Sequence, residues 1–456
     1  MVNELFIMQG APGCGKSTFI NENQLNDYVI SPDSIRELIN QVNQIITGTT
    51  IIKNDSPQNE INNDYIIVND DDYNNGYDFS PRTSKLAFEI TDEILQQRLR
   101  RGQTVILDLT AASRKTIGKL LQTANVYNYH VNYVNMQKNL TVNEILKRNR
   151  NRGIRAVPDV VVRKMYDAVS NYKYEKHEHV ITTADMLNKQ YVSIDTGIQN
   201  KYDRAVFIGD IQGVYDRFSK TELMHPHDDT AYIFTGDILD RGNGAAEMFD
   251  WVIDHIDNDN IIVIRGNHDN YWRYYCNPAI ESRYYGKATQ NSIEDILKRS
   301  KYAGGNPKTL HKLAKTTEKK FTDMFAFQVN DKVYVATHGG LLPNELVNNY
   351  DADKHAYKLG FKSEQYFYYG AGTTIDTGDY KTDIDRIIES YYLAYNNASN
   401  APDMIQIHGH RNEYKHAVNE FTHTVNLEQH VEYPDGNLAL AVLDFRTNEL
   451  SYQLIH

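Results

Sequence analysis

The sequence predicts two α/β domains in series, an N-terminal one built on a parallel sheet and a C-terminal one that gathers polar residues at strand ends. Three observations lead there. The chain has 456 residues, too many for one compact core and suited to two domains of roughly 150–250 residues each. Residues 1–170 alternate apolar runs with helical periodicity, the pattern of parallel strands joined by crossover helices. From Ala205 onward the runs VFIGD, AYIFTGD, IIVIRGNHD, VYVATHGG and MIQIHGH each end in metal-competent residues. α/β sheets gather their sites at such carboxyl ends.

The expected boundaries are 1–170 for the first domain, 171–202 for a linker or docking segment of low motif density, and 203–456 for the second domain. In the first domain ELFIM reads as a buried strand, followed by a Gly-rich turn and a helix from Lys16. YVIS, TVILDLT and YHVNYVNM are the next strands. Residues 54–79 are rich in Asn, Asp and Tyr, carry no Lys or Arg, and read as an inserted loop. Residues 270–330 are mostly helical in pattern and predict a cap on the second domain.

Composition excludes several classes. The apolar fraction of 41% and charged fraction of 24% are those of a globular protein. No run reaches the roughly 18 apolar residues of a membrane span, so no membrane partner is expected. The start, MVNELFIMQG, lacks the basic region of a signal peptide. Cys14 and Cys276 read as free thiols in a reducing compartment, and the expected location is the cytoplasm, that of a host cell if the chain is phage-encoded. The net charge of −12 opposes a polyanionic partner, yet residues 97–155 hold twelve Lys/Arg against only Asp108 and Glu144. Polyanion binding responds to such a local field.

Gly10-Ala-Pro-Gly13-Cys-Gly15-Lys16-Ser17-Thr18 fits G-x-x-x-x-G-K-[ST] between a strand and a helix. Gly10, Gly13 and Gly15 let backbone amides turn toward phosphates. Lys16 would hold the β- and γ-phosphates of ATP or another nucleoside triphosphate, Ser17 would ligate Mg²⁺, and Thr18 follows in the same turn. Asp33, in Ser31-Pro-Asp33-Ser-Ile-Arg36, is expected at the end of the second strand, facing the γ-phosphate as a general base. Arg36, one turn on, would clamp a substrate phosphate. Asp108 and Thr110 end TVILDLT at the site rim. Arg148 and Arg152, four apart, are expected on one helical face, where an Arg pair can neutralise a transferring phosphoryl group. This order, closed by KRNxxRGxxAVP, resembles the phage-type polynucleotide 5′-kinases. The resemblance implies that Asp33 activates a 5′-hydroxyl, that Arg36 and Asp108 position the substrate, and that Arg148 and Arg152 are lid arginines.

In the second domain Asp210, Gln212, Asp237, Asp240-Arg241, Asn267-His268, His338 and His410 arrive in order. Two divalent ions need a bridging carboxylate with flanking N and O ligands. Asp237 suits the bridge, Asp210 the first ion, and Asn267, His338 and His410 the second. Arg241 can grip a phosphate, and His268 beside Asp240 can protonate a leaving group. The series resembles the calcineurin-like metallophosphoesterases across residues 203–456, with one departure. Gln212 stands where a metal-ligating His is expected, and its carbonyl oxygen favours hard ions such as Mn²⁺ or Mg²⁺, with Ni²⁺ the softer alternative. Symmetrical diadenosine tetraphosphatases resemble this chain in sometimes having Gln there. His408 is the competitor for His410, and Glu428 is a weaker candidate near the metals.

A 5′-kinase joined to such a phosphoesterase resembles the bacterial and phage RNA end-healing proteins. That resemblance implies ATP-dependent phosphorylation of 5′-OH ends and removal of 3′-phosphate or 2′,3′-cyclic phosphate. Its partners would be nucleic acid with 5′-OH ends, RNA favoured, and a separate ligase, because no Lys-x-Asp-Gly ligase motif is present. Two readings compete: a small-molecule kinase fused to a dinucleoside-polyphosphate or phosphoprotein phosphatase, and a nucleic-acid sensor with a decayed phosphatase site.

Overall fold

A computed structural model describes residues 3–47, 81–110, 114–152, 156–175, 178–269, 286–370, 383–395 and 402–456. The expected 54–79 loop, Cys276 and the first part of the 270–330 cap lie outside the described residues. The chain forms two compact units, Asn3–Asn188 and Lys189–His456.

The first unit holds a five-stranded sheet of β1 (Glu4–Gln9), β2 (Val29–Ile30), β3 (Val105–Asp108), β4 (His130–Asn135) and β5 (His179–Ile181). The order is β2-β3-β1-β4-β5 and every pairing is parallel. β1 is central and buried throughout, which explains its unbroken apolar run. The helices are α1 (Lys16–Glu22), α2 (Pro32–Thr47), α3 (Pro81–Arg100), α4 (Arg114–Val126), α5 (Val142–Arg150) and α6 (Asp159–Ser170). Leu5, Ile7, Val105 and Leu107 pack one sheet face on Leu95, Leu99, Ile117 and Leu120. A smaller core of Ala11, Cys14, Ile145, Leu146 and Val162 seats α5 and α6 against the glycine loop. α5 starts on a capping box in which Thr141 Oγ1 accepts from Glu144 N (3.3 Å) and Glu144 accepts from Thr141 N (2.7 Å).

The second unit is a sandwich of two sheets with helices outside each. One sheet runs β17-β16-β7-β8-β9, from β7 (Arg204–Ile208), β8 (Thr230–Phe234), β9 (Ile261–Val263), β16 (Leu438–Asp444) and β17 (Glu449–Ile455). The other runs β12-β13-β6-β10-β11-β14-β15. It comprises β6 (Tyr191–Asp195), β10 (Met324–Val329), β11 (Lys332–Thr337), β12 (Tyr350–Asp351), β13 (Ala356–Lys358), β14 (Asp403–His408) and β15 (Thr424–Asn426). Phe207, Ala231 and Ile233 of the first sheet meet Phe327, Tyr334, Ala336 and Ile407 of the second. Their alternate neighbours Val206, Tyr232 and Phe234 face the helices Ala245–His255, Lys287–Arg299 and Pro307–Glu318. The latter two are the described helices of the expected 270–330 cap; its last residues are not cap but β10, inside the second sheet.

The segment 171–202, expected as a linker or docking segment, supplies β5 to one unit and β6 to the other. Both strands are short and only partly buried, so they carry no apolar run for a motif scan to find. Among the described residues no helix is long and apolar enough to cross a membrane.

Candidate functional site

In the first unit the glycine loop joins β1 to α1 at the carboxyl edge of the sheet. Gly13 has φ +93°, and a Cβ there would lie 2.6 Å from the carbonyl oxygen of Ile145 in α5, so the loop is pressed against that helix. α1 has no side-chain cap, which leaves its first amides to an anion. Lys16 Nζ donates to Gly10 O at 2.6 Å and stands 3.8 Å from Asp108 Oδ1. Burial raises the Asp108 pKa; Lys16 and Arg152 pull it back and Asp33 pushes it further up. These four groups therefore share one electrostatic field. Thr110 Oγ1 points at Met165 Sδ, 4.0 Å away. Ser17 and Thr18 are exposed at the loop mouth.

Three sequence expectations need correction here. Asp33 does not end the second strand: β2 stops at Ile30, and Asp33 lies in the first turn of α2, where Pro32 presets the helical φ. Its carboxylate is 83% exposed and forms an ion pair with Arg36, whose guanidinium is mostly buried. Arg148 and Arg152 do not share a helical face, because α5 ends at Arg150 with Asn151 as its C-cap; both are exposed. The basic block is also less basic than its composition. Arg114 pairs with Glu178 and Glu175, Lys119 with Asp92, and Arg150 with Asp159, all acids outside the window of the count.

The second unit gathers Asp210, Gln212, Asp237, Asn267, His338 and His410 from both sheets. Asp210, Asp237 and Asn267 follow β7, β8 and β9; His338 and His410 follow β11 and β14. Ligand atoms of Asp237, His338 and His410 lie within 4.8 Å of one another. His338 Nδ1 donates to Thr235 O at 2.7 Å, and its Nε2 faces Asn267 Oδ1 (3.0 Å) and Asp237 Oδ1 (3.4 Å), where a proton, or a metal ion in its place, satisfies all three atoms. Three acceptors that converge in this way call for a cation between them. Burial and the adjacent His338 hold His410 well below the ordinary histidine value, so it offers a neutral imidazole. Burial alone would lower the His338 pKa and raise that of Asp237; their mutual attraction reverses both.

Gln212 is 2% exposed. Its Nε2 donates to Asp237 Oδ2 at 3.0 Å, while its Oε1 has no hydrogen-bond partner. A buried orphan carbonyl beside carboxylates is suited to a hard cation. Glu428, the weaker candidate of the sequence, is buried in hydrogen-bonding contact with the Asp210 carboxyl. Burial and Glu428 together raise the Asp210 pKa, and a divalent ion would neutralise the two adjacent carboxyls. A Cβ at Gly409 would fall on Asp210 Oδ1, so only glycine lets β14 deliver His410 here. His408, the competitor, is buried on Asp385 (3.0 Å) and Thr424 (3.2 Å) instead.

Beside this cluster His268 Nδ1 donates to Asp240 Oδ2 at 3.1 Å, and Arg241 Nη2 donates to His268 Nε2 at 3.0 Å. Burial alone would lower the His268 pKa, but Asp237 and Asp240 outweigh it. Arg241 is tethered through Nη1 to Glu432 at 2.5 Å. Asp269, in the recognised Asn-His-Asp run but given no role there, accepts from the amides of Asp237, Ile238 and Gly266 at 2.7–2.9 Å and fixes the loop between β8 and its helix. Burial and Asp237 push its pKa up to about 6. Gln212, Asp237, Asp240, Arg241 and His410 all hold φ between +49° and +80°, a left-handed conformation that costs non-glycine residues energy and marks functional loops.

With this geometry in view, comparisons with known proteins divide the chain at the same place. An AAA domain family matches residues 5–171, and the calcineurin-like phosphoesterase family matches residues 204–441, just over half the chain. No curated protein matches. Among solved structures, the chain is similar to a putative diadenosine tetraphosphatase (13% identity, 58% of this chain and 97% of that one, TM-score 0.35). It is similar to a protein serine/threonine phosphatase from Saccharomyces cerevisiae with similarity to human phosphatase PP5 (15%, 60% and 86%, 0.37). It is also similar to a gluconokinase from Sinorhizobium meliloti 1021 (13%, 40% and 83%, 0.24).

Proposed function

The chain belongs to the calcineurin-like phosphoesterases, and on that premise we propose that it heals nucleic-acid ends, with a 5′-hydroxyl kinase in its first unit and a metal-dependent 3′-phosphatase in its second. One observation carries the phosphatase half: the orphan Gln212 oxygen and the converging acceptors of Asp237, Asn267 and His338 surround one space next to the Asp240–His268 pair. Asp210, Gln212, Asp237 and Glu428 would hold one ion, and Asp237, Asn267, His338 and His410 the other. Two divalent ions, Mn²⁺ best suited to the oxygen-rich half, would supply charge neutralisation on the phosphoryl oxygens and a more acidic water. Arg241 grips the phosphoryl group and so leaves His268 Nε2 free to carry a proton. Water attacks phosphorus as the bond to the leaving oxygen breaks, and that oxygen takes the electron pair and the His268 proton.

In the first unit the shared field of Lys16, Asp108, Asp33 and Arg152 supports phosphoryl transfer from ATP–Mg²⁺ to a hydroxyl, with Asp33 as its base. The acceptor class rests on the order of motifs and on the exposed Arg148 and Arg152. The pairing of Arg114, Lys119 and Arg150 with acids favours a smaller acceptor. The test is a two-ended assay on matched RNA and DNA oligonucleotides with 5′-OH and 2′,3′-cyclic phosphate ends. Expected are 5′-phosphorylation lost in Asp33→Ala alone and 3′-dephosphorylation lost in Asp237→Ala alone. Phosphate transfer only to free nucleosides would overturn the polynucleotide reading. A cytoplasmic site of action and hand-over to a separate ligase complete the proposal.

A further inference from the structure

We infer that Thr289, on the first turn of the cap helix Lys287–Arg299, is a positioning residue for proton delivery to the leaving oxygen; this rests on the phosphoesterase reading above. Thr289 lies outside every motif of the sequence, 20 residues beyond Asp269 and in a stretch that reads only as cap. Its side chain is 2% exposed, and its Oγ1 donates to Asp240 Oδ2 at 2.6 Å. That is the same oxygen that receives His268 Nδ1 at 3.1 Å.

A carboxylate held by one donor can rotate about its terminal bond and take the imidazole with it. A second donor from a different element fixes the oxygen, and through it the direction of His268 Nε2. Asp240 sits in the left-handed loop after β8 at φ +80° and is 1% exposed, so protein donors rather than water set the direction of its carboxylate. On the first turn Thr289 has no preceding helical turn to offer its hydroxyl a carbonyl, and the hydroxyl goes to a carboxylate from another element. The helix that carries it is clamped. Asp295 accepts from Ala246 N at 3.0 Å, and Arg299 reaches Asn243 O at 3.0 Å and Glu247 Oε2 at 2.9 Å. Those partners begin the helix that follows Arg241. These contacts tie the helix Lys287–Arg299 to the segment that follows the Asp240–Arg241 loop, and Thr289 is its contact with the reacting groups' partner.

Proton delivery matters most when the leaving oxygen is a strong base. Thr289→Val keeps the shape and removes the donor. Turnover of p-nitrophenyl phosphate and phenyl phosphate with Mn²⁺ should therefore diverge, the ratio of the first to the second rising about tenfold over wild type. Thr289→Ser should restore the wild-type ratio. In the metal-free protein the low-field Nδ1 proton of His268, identified by its loss in His268→Gln, should exchange faster with water in Thr289→Val. An unchanged ratio with an unchanged proton signal would overturn the inference, as would a parallel fall on both substrates that serine fails to rescue. Should valine unfold the unit, Thr289→Ala is read against Thr289→Ser in the same way. A wild-type protein inactive on both substrates would instead remove the phosphoesterase reading, and this inference with it.

Discussion

Arg265 immediately precedes the Gly-Asn-His-Asp run, and its replacement by methionine is the sharpest test of how that run is held. The guanidinium is fully buried and faces three carboxylates, Glu364 at 2.9 Å, Glu318 at 3.1 Å and Asp323 at 3.6 Å, all of them buried too. Its own amide donates to Thr322 O at 2.8 Å, so the side chain ties the loop to elements behind it. Methionine fills much of the same volume without the charge. Stranding a buried ionic partner costs about 3–5 kcal/mol, a large part of the roughly 5–15 kcal/mol that keeps a domain folded. We expect Arg265→Met to lose about 4 kcal/mol near neutral pH. The sign with pH follows from proton counting: without the cation, the folded variant keeps its buried acids by holding a proton that the unfolded chain releases. Its stability therefore recovers as pH falls and worsens as pH rises. Trp251 and Trp272 both lie within Lys189–His456, so urea unfolding followed by tryptophan fluorescence reports on that unit alone. A loss below about 1 kcal/mol, or a loss that deepens as the solution is acidified, would refute the reasoning.

Gly13→Ala should displace the phosphate loop from Ile145 at a cost of roughly 1–3 kcal/mol in the strained turn. A fluorescent ATP analogue should bind at least tenfold more weakly, by about the 1.4 kcal/mol that a factor of ten represents, and phosphatase turnover should be unchanged; wild-type nucleotide affinity would contradict the close packing. Gln212→Ala should weaken Mn²⁺ binding by about 10–100-fold in calorimetry, whereas equal affinity would mean that the orphan oxygen does not face the ion.

The sequence was most informative where residues are buried on two sides at once. The inner residues of β1, β7 and β8 are apolar because both sheet faces are covered, so the polar residues after β7 and β8 stand out and Asp210 and Asp237 can be read from them. Features decided by distant partners were not legible in that way. The acids that neutralise Arg114, Lys119 and Arg150 lie up to 64 residues away or just beyond the counted window. The run YVIS puts Asp33 near a strand end, but a helix already begins at Pro32. Thr289 has no motif at all, since a single hydroxyl on a helix becomes meaningful only once the fold brings Asp240 beside it. The repeated run-then-ligand pattern also concealed that the runs belong to two sheets, because strand membership depends on pairing and not on composition.

That division between sheets bears on the mechanics of the unit. Asp210, Asp237 and Asn267 hang from one leaf of the sandwich, and His338 and His410 from the other. An ion held by both sets would act as a clasp at one end of the layer otherwise joined by Phe207, Phe327 and their neighbours. Its binding free energy adds to the cohesion of the leaves, about 2.7 kcal/mol when free metal is at a hundredfold its dissociation constant. Chelation should then loosen the ligand-bearing ends of β8 and β11 first, and amide exchange should quicken there before it does at the far end of either sheet.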